Sequence, residues 1–181
     1  MSDLRIVAGE WRGRRIVVPE AQVRPTSDRV REAWMSIVGP SIDGARVIDL
    51  CAGSGALGLE ALSRGAAHCD FVDRDPAVLK TLRKNIATLG AEERATVHRA
   101  DVVEFLEDVE GAGGPWDVAF SDPPYKQEVA RTLVERWLAA PFATIFGVEH
   151  EAELVLPDAD ARAADRRVYG GTAITLFHTD R

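Results

Sequence analysis

One stretch constrains the fold more than any other: residues 46–62 have the pattern of a buried strand, a glycine-rich loop and a helix. The apolar run Val47–Leu50 leads directly into Cys51–Gly58, and apolar residues at helical spacing follow. Glycines 53 and 55 allow the backbone to pass close to a ligand, and Gly58 allows the helix to pack tightly on the strand. A strand, loop and helix in this order predict a unit of a parallel sheet.

The chain beyond residue 46 continues this alternation. We predict strands at 69–73, 95–99, 118–120 and 143–149, and helices at 76–89, 102–109 and 128–139. A last segment, 166–177, is broken by Gly170-Gly171 into a terminal hairpin. The pattern indicates an α/β fold with a mostly parallel sheet, helices on both faces, an antiparallel edge strand and a ligand site across the carboxyl ends of the strands.

The N-terminal residues precede this alternating region. Strands are expected at 4–8 and 14–18 around a turn at 9–13, and a helix from Ser27 or Asp28 to Val38 that Gly39-Pro40 ends. We therefore divide the chain into an extension, residues 1–40, and a main domain, residues 41–181, within one compact unit.

The composition is that of a globular domain. With 181 residues and 46% hydrophobic content, the chain can form one domain. It has no apolar run of 18 residues and no hydrophobic N-terminal region, so we expect a cytoplasmic monomer that neither spans a membrane nor is secreted. Cys51 and Cys69 lie at predicted buried strand ends, as reduced cysteines do. The four histidines lack metal-ligand spacing, and we expect no metal.

The glycine loop predicts a nucleotide-like cofactor. Its pattern also suits a dinucleotide, but Asp49 ends the strand four residues before Gly53. A carboxylate there would repel a pyrophosphate, whereas it would attract the ammonium and sulfonium groups of S-adenosylmethionine. We therefore predict an S-adenosylmethionine site formed by Asp49, Gly53, Ser54 and Gly55.

Two further acids end the next two strands. Asp73 lies 18 residues after Gly55, where an acid is suited to bind ribose hydroxyls, and Asp101 could accept the adenine amino group. Each acid alone could instead cap a helix. Acids at successive strand ends favour a common binding edge.

Asp122-Pro123-Pro124-Tyr125 has the chemistry of a clamp for an exocyclic amino group. One Asp122 oxygen can accept one N–H of such a group, and the Pro123 carbonyl can accept the other. The nitrogen lone pair then faces the electrophile, and Tyr125 offers a ring on which an extruded base can stack. The alternative is a Pro-Pro turn with Tyr125 as a core residue.

The net charge of the whole chain argues against binding to nucleic acid, but the charge of its N-terminal residues does not. The net charge is −7, yet residues 1–38 carry seven arginines against five acids. Arginine suits phosphate contacts and stacking on splayed bases. We predict that this region binds RNA; the alternative is a solubilising arm. The candidate contacts are Trp11, at the expected hairpin tip, with Arg12, Arg14, Arg15, Arg29 and Arg31.

These residues also resemble a known family. Asp49 with the glycine loop, Asp73 and Asp122–Tyr125 are similar to class I methyltransferases that modify exocyclic amino groups. The whole chain from Leu4 to about Phe177 resembles the RsmD family, the 16S rRNA guanine-N2 methyltransferases. The specific blocks are Arg5–Arg14, Arg24–Glu32 and Gly53–Arg64. One departure is Asp73, where many relatives have Glu.

The resemblance implies a Rossmann-like fold with a seven-stranded sheet. It also implies methyl transfer from S-adenosylmethionine to a guanine N2 in 16S rRNA of the small ribosomal subunit. Other interpretations stay open: a DNA adenine-N6 or protein-glutamine methyltransferase, a nicotinamide-dependent oxidoreductase, or a non-catalytic RNA-binding module. In an oxidoreductase, Asp49 and the Asp-Pro-Pro-Tyr segment would have no task.

Overall fold

The computed structural model describes residues 2–20, 27–109, 114–123, 127–157 and 163–179. Near the N-terminus, β1 (Asp3–Arg5) and β2 (Arg15–Val17) form an antiparallel pair, and α1 spans Asp28–Val38. The Ser27 hydroxyl accepts the Val30 N–H and caps α1, as predicted. The two strands are shorter than expected, because the N–H groups of residues 7 and 8 bind a side chain of another element.

The other strands form one seven-stranded sheet, which confirms the predicted fold class. Its spatial order is β5-β4-β3-β6-β7-β9-β8, with parallel pairs from β5 to β7 and antiparallel pairs at β9 and β8. The strands are β3 (Arg46–Leu50), β4 (His68–Asp73), β5 (Ala95–Arg99), β6 (Trp116–Ser121), β7 (Ala143–Glu151), β8 (Ala163–Tyr169) and β9 (Thr172–His178).

Helices cover both faces of the sheet. They are α2 (Ala56–Ser63), α3 (Pro76–Leu89), α4 (Val102–Glu107) and α5 (Gln127–Ala139), with short 3-10 turns at Gly39–Ser41 and Glu92–Arg94. Apolar residues of α1, α2 and α3 share one core with one face of the sheet, and those of α4 and α5 share a second core with the other face. In the described residues, every helix is too short or too polar to span a membrane.

The N-terminal segment is fixed to α2 by two polar side chains. The buried Glu60 carboxylate accepts the N–H groups of Val7 and Ala8, each at 3.0 Å. Ser63 Oγ accepts the Trp11 N–H at 3.0 Å and donates to the Ala8 carbonyl at 2.6 Å. Residues on both sides of position 40 therefore pack into one core.

Close packing also joins α1 to the sheet. Trp34 is fully buried, and its ring meets Phe120 of β6 edge-on with centroids 5.4 Å apart. A Cβ on Gly147 of β7 would lie 2.2 Å from the Trp34 ring, so only glycine fits there. This packing holds α1 against β6 and β7.

Candidate active site

Four carboxylates lie in a row at the carboxyl edge of the sheet. Asp73, Asp49, Asp122 and Glu149 belong to or directly follow β4, β3, β6 and β7, which are adjacent in that order. Alternation along each strand places them on the face that α1 and α2 cover, since Phe71, Val47 and Phe120 two positions earlier belong to that core. The row was predicted as far as Asp122.

The pKa of the Cys51 thiol is affected by several acids at this edge. Burial first raises its pKa, and the negative charges of four acids raise it further. These acids are Asp73, Asp122, Asp49 and Asp101, in order of effect. The structure therefore brings together the four acids that the sequence selected, at one edge and around one residue.

Asp49 is the most deeply buried acid of the row. Its Oδ2 accepts the Gly58 N–H at 2.9 Å, which ties the end of β3 to the first turn of α2. Burial raises its pKa well above the ordinary value; the Gly58 bond opposes this, and the charges of Asp122 and Asp73 add to it. A cation beside Asp49 would lower that pKa and stabilise the carboxylate. This environment suits an ammonium or sulfonium and disfavours a pyrophosphate.

Asp73 anchors the glycine loop. Its Oδ2 accepts the Gly53 N–H at 3.1 Å, and its Oδ1 accepts the Asp75 N–H at 3.0 Å. Each carboxylate oxygen has a second lone pair, so both can still accept ribose hydroxyls. The Asp73 side chain is thus fixed at the strand end beside the loop.

The loop residues divide between backbone and packing tasks. Gly53 and Gly55 have φ values of 57° and 82°, a region that favours glycine. A Cβ on Gly55 would lie 2.4 Å from Leu82, so packing on α3 as well as φ requires glycine there, rather than ligand approach alone. The Ser54 side chain is fully buried. The backbone carbonyl of Ser54 accepts an N–H from Asn85 Nδ2 at 2.9 Å. A Cβ on Gly58 would lie 2.4 Å from Phe71, as the predicted tight packing requires.

Asp101 caps α4, which was the alternative considered for it. Its Oδ1 accepts the Val103 and Glu104 N–H groups at 2.9 and 3.4 Å. Its Oδ2 lies 3.9 Å from Arg74 Nη1. Its contact with adenine stays a prediction.

Asp122 and Pro123 follow β6 at the centre of the edge. Pro123 is buried and Asp122 is half-buried, and the Asp122 charge acts on both Asp49 and Glu149. Pro124 and Tyr125, the other half of the predicted clamp, lie outside the described residues, and their roles stay predictions.

Glu149 is the acid that sequence reasoning missed. Its Oε2 accepts Trp34 Nε1–H at 3.2 Å. Burial, and after it the Asp122 charge, raises the pKa of Glu149 to about 8, against the opposing effect of the Trp34 bond. The signal that selected the other acids, a carboxylate at the end of a predicted strand, applies equally to residues 143–149.

Four of the predicted RNA contacts are exposed: Arg12, Arg14, Arg15 and Arg29. Arg14 donates to the Thr88 carbonyl on α3, Arg15 pairs with Asp3 at 2.9 Å, and the Arg29 guanidinium lies 5.9 Å from the Tyr169 ring centroid. Their charges can reach solvent, and their binding of RNA stays a prediction.

Two predicted RNA contacts are wrong because both side chains are buried. Trp11 is 4% exposed, with its ring under the Arg94 guanidinium 4.9 Å away, so no base can stack on it. Arg31 is 0% exposed; it donates to the Arg5 carbonyl at 3.0 Å and pairs with Asp28. Both residues hold the N-terminal region together.

Within the described side chains, His, Cys, Asp and Glu form no group of three or more that could hold a metal ion. The donor set instead fits an adenosyl cofactor with a positive charge. Asp49 lies where a cation would be stabilised, and Asp73 is bonded to the Gly53 loop, where a ribose is predicted; both cofactor contacts stay predictions.

Comparisons with known proteins agree with this fit. A family model described as "Conserved hypothetical protein 95" matches residues 4–178. Ribosomal RNA small subunit methyltransferase D of Escherichia coli K12 is 40% identical over 185 residues, 98% of this chain and 91% of that protein. A hypothetical protein of Thermus thermophilus has a solved structure with a TM-score of 0.84 and 32% identity, covering 97% of this chain and 99% of that one.

A more distant structure shows the same fold with a ligand. It is an RNA methyltransferase from Salinibacter ruber in complex with S-adenosyl-L-homocysteine, 16% identical with a TM-score of 0.67, covering 86% of this chain and 93% of that one. The fold and the edge of acids define a class I methyltransferase that uses S-adenosylmethionine. Within that class, the chain belongs to the family that the model describes, the RsmD family of ribosomal RNA small subunit methyltransferases.

Proposed function

We propose that the protein transfers a methyl group from S-adenosylmethionine to the N2 amino group of a guanine in 16S rRNA of the small subunit. The observation that carries the proposal is the position of Asp122 and Pro123 beside Asp49 in the row of acids. An amino-group clamp is thereby next to the place for a sulfonium. The printed name of the Escherichia coli relative supports the ribosomal substrate, and the resemblance of the N-terminal blocks supports guanine N2.

Positioning is the main contribution of the chain to the reaction. Bound S-adenosylmethionine would supply an electrophilic methyl group, with S-adenosylhomocysteine as the leaving group of the C–S bond. Asp122 and the Pro123 carbonyl each accept one N–H of the guanine amino group, so that the nitrogen lone pair faces the methyl carbon. As the N–C bond forms, the nitrogen becomes acidic, and the Asp122 carboxylate accepts the proton that it loses.

An oxidoreductase fits the same edge less well. A pyrophosphate would have to lie beside Asp49, whose pKa is already raised by burial and by two neighbouring negative charges. Adding a third anion there would cost further free energy.

We further propose that the enzyme works in the cytoplasm as a monomer.

Asp122→Ala tests the assignment of the acceptor site. We expect the single-turnover rate on small subunits from a strain lacking the related enzyme to fall more than about tenfold, a loss above roughly 1.4 kcal/mol. Affinity for S-adenosylmethionine, measured by calorimetry, should change little, because Asp122 holds the acceptor. Asp122→Asn should keep partial activity, since its amide oxygen still accepts one N–H.

The matched control is Asp117→Ala. Asp117 is an exposed acid on the same strand at the opposite, amino end of the sheet, where its carboxylate accepts the Arg46 N–H. It should keep the wild-type rate. Retention of more than about a tenth of the rate by Asp122→Ala would contradict the clamp.

A further inference from the structure

Glu149 lies beside the acceptor clamp rather than among the cofactor residues. The ladder between β6 and β7 pairs Ser121 with Val148, so Asp122 and Glu149 follow as the next positions on two neighbouring parallel strands. Such strands lie about 4.8 Å apart. Glu149 shares the face of Gly147, which Trp34 covers, and Asp122 shares the face of Phe120, which Trp34 also contacts. Both side chains are therefore on one face at one edge.

The Glu149 carboxyl group is fixed by one hydrogen bond and can accept others. Trp34 Nε1 donates to Oε2, which fixes the side chain against α1. Among the described residues, that bond occupies one lone pair of one oxygen, which leaves its other lone pair and the whole of Oε1 for a ligand. The groups that act on Glu149 are Asp122 from β6 and the Trp34 indole from α1, while its ladder partner on β9, Ile174, is apolar.

The protonation state of this group sets what it can recognise. Burial and the Asp122 charge raise the pKa of Glu149 to about 8, so near neutral pH Glu149 is a carboxylic acid. A carboxylic acid presents one O–H donor and one carbonyl acceptor. The Watson–Crick edge of guanine next to N2 presents the complement, an N1–H donor and an O6 acceptor.

We propose that Glu149 is a specificity-determining residue that binds the N1–H and O6 of the target guanine while Asp122 and Pro123 hold its N2 amino group. This inference rests on the proposed function and deepens it. The three groups together would read the entire edge of a guanine, and no other standard base presents that edge.

Base replacement at the target position tests the contact directly. Small subunits reconstituted around 16S rRNA with 2-aminopurine in place of the target guanine keep the amino group but lose O6 and N1–H. We expect wild-type enzyme to methylate them at least about tenfold more slowly than guanine-containing subunits. Glu149→Ala should lose activity on guanine, and its rates on the two bases should agree within about threefold, because the discriminating group is gone.

The pH profile gives a second readout that a structural role would not move. Glu149→Gln mimics the neutral acid, with an amide oxygen to accept N1–H and an NH₂ to donate to O6. Above about pH 8, wild-type kcat/KM should fall about tenfold per pH unit as Glu149 ionises, whereas Glu149→Gln should fall at least one pH unit later. Any titration of Asp49 or of guanine itself affects both enzymes and so cancels in the comparison.

Controls separate this inference from the function on which it rests. Glu151→Gln, an exposed acid two positions along the same strand, should match wild type in both tests. Calorimetry with S-adenosylmethionine should show equal affinity for all variants. If wild-type enzyme methylates no guanine N2 in small subunits, the proposed function fails. If it does, and Glu149→Ala still discriminates against 2-aminopurine or Glu149→Gln keeps the wild-type pH profile, only the role of Glu149 is overturned.

Discussion

At the scale of single residues, neighbouring acids differ in their hydrogen bonds, burial and pKa because their surroundings differ. Asp73 accepts two backbone N–H groups, whereas Asp49 accepts one and is fully buried. Burial raises the pKa of Asp49 and of Glu149, and each also feels the charge of Asp122. The edge therefore favours a cation at Asp49. At its two ends, Asp73 and Glu149 can form hydrogen bonds with neutral polar groups.

Asp73→Asn should weaken S-adenosylmethionine and S-adenosylhomocysteine equally. Both present the same ribose, and a charge-assisted hydrogen bond contributes about 1.5–3 kcal/mol, so both dissociation constants should rise roughly ten- to a hundred-fold in calorimetry. Turnover at saturating cofactor should change little. Glu92→Gln, an exposed acid after α3, serves as the control. An unchanged affinity for both ligands would place the ribose elsewhere.

At the scale of elements, the N-terminal hairpin is part of the core rather than an arm that projects from it. Glu60 and Ser63 of α2 bind its backbone, and Asn85 of α3 binds both the N–H and the carbonyl of Val17 at 2.8 Å. These partners are 52 to 68 positions away in sequence. The hairpin is stable because two helices complete its hydrogen bonds.

Trp11→Ala should therefore destabilise the fold instead of weakening base stacking. Removing a buried Trp side chain costs about 3–5 kcal/mol, which urea denaturation would detect as a lower midpoint. Arg12→Ala, the exposed neighbour, should change the free energy of unfolding by less than about 0.5 kcal/mol. A Trp11→Ala protein as stable as wild type would show that the ring is not part of the core.

At the scale of the whole molecule, a net charge of −7 must be reconciled with an RNA substrate. Four of the acids lie together at the predicted cofactor edge, and exposed arginines lie on the hairpin and on α1. RNA is expected to approach on the arginine side. Local charge, and not the overall field, then governs the encounter.

The double variant Arg12→Ala and Arg15→Ala tests this surface; Arg14 is left unchanged because it also binds the Thr88 carbonyl. Each lost phosphate contact should flatten the log–log salt dependence of RNA binding by about 0.7–0.9, at unchanged affinity for S-adenosylmethionine. Arg46→Ala, an exposed arginine at the amino end of β3, should keep the wild-type slope. Equal slopes for the double variant and wild type would make the hairpin purely structural.

Sequence patterns predicted the helices and strands, and they predicted which acids meet at the carboxyl edge of the sheet. Helix α3 spans the predicted residues 76–89, because Asp75 caps its start and Gly90, with φ of 68°, ends it. The acids at strand ends met at one edge because parallel strands share a direction, which periodicity reveals.

Which side chains face solvent and which strands are neighbours can be seen only in the folded chain. Trp11 and Arg31 are buried because their partners, Arg94 and the Arg5 carbonyl, come from other elements. Glu149 joins the acceptor site because β7 pairs with β6 and Trp34 of α1 packs over both. Local sequence sets hydrogen bonds within an element, whereas burial depends on contacts between distant segments, and no local pattern encodes those.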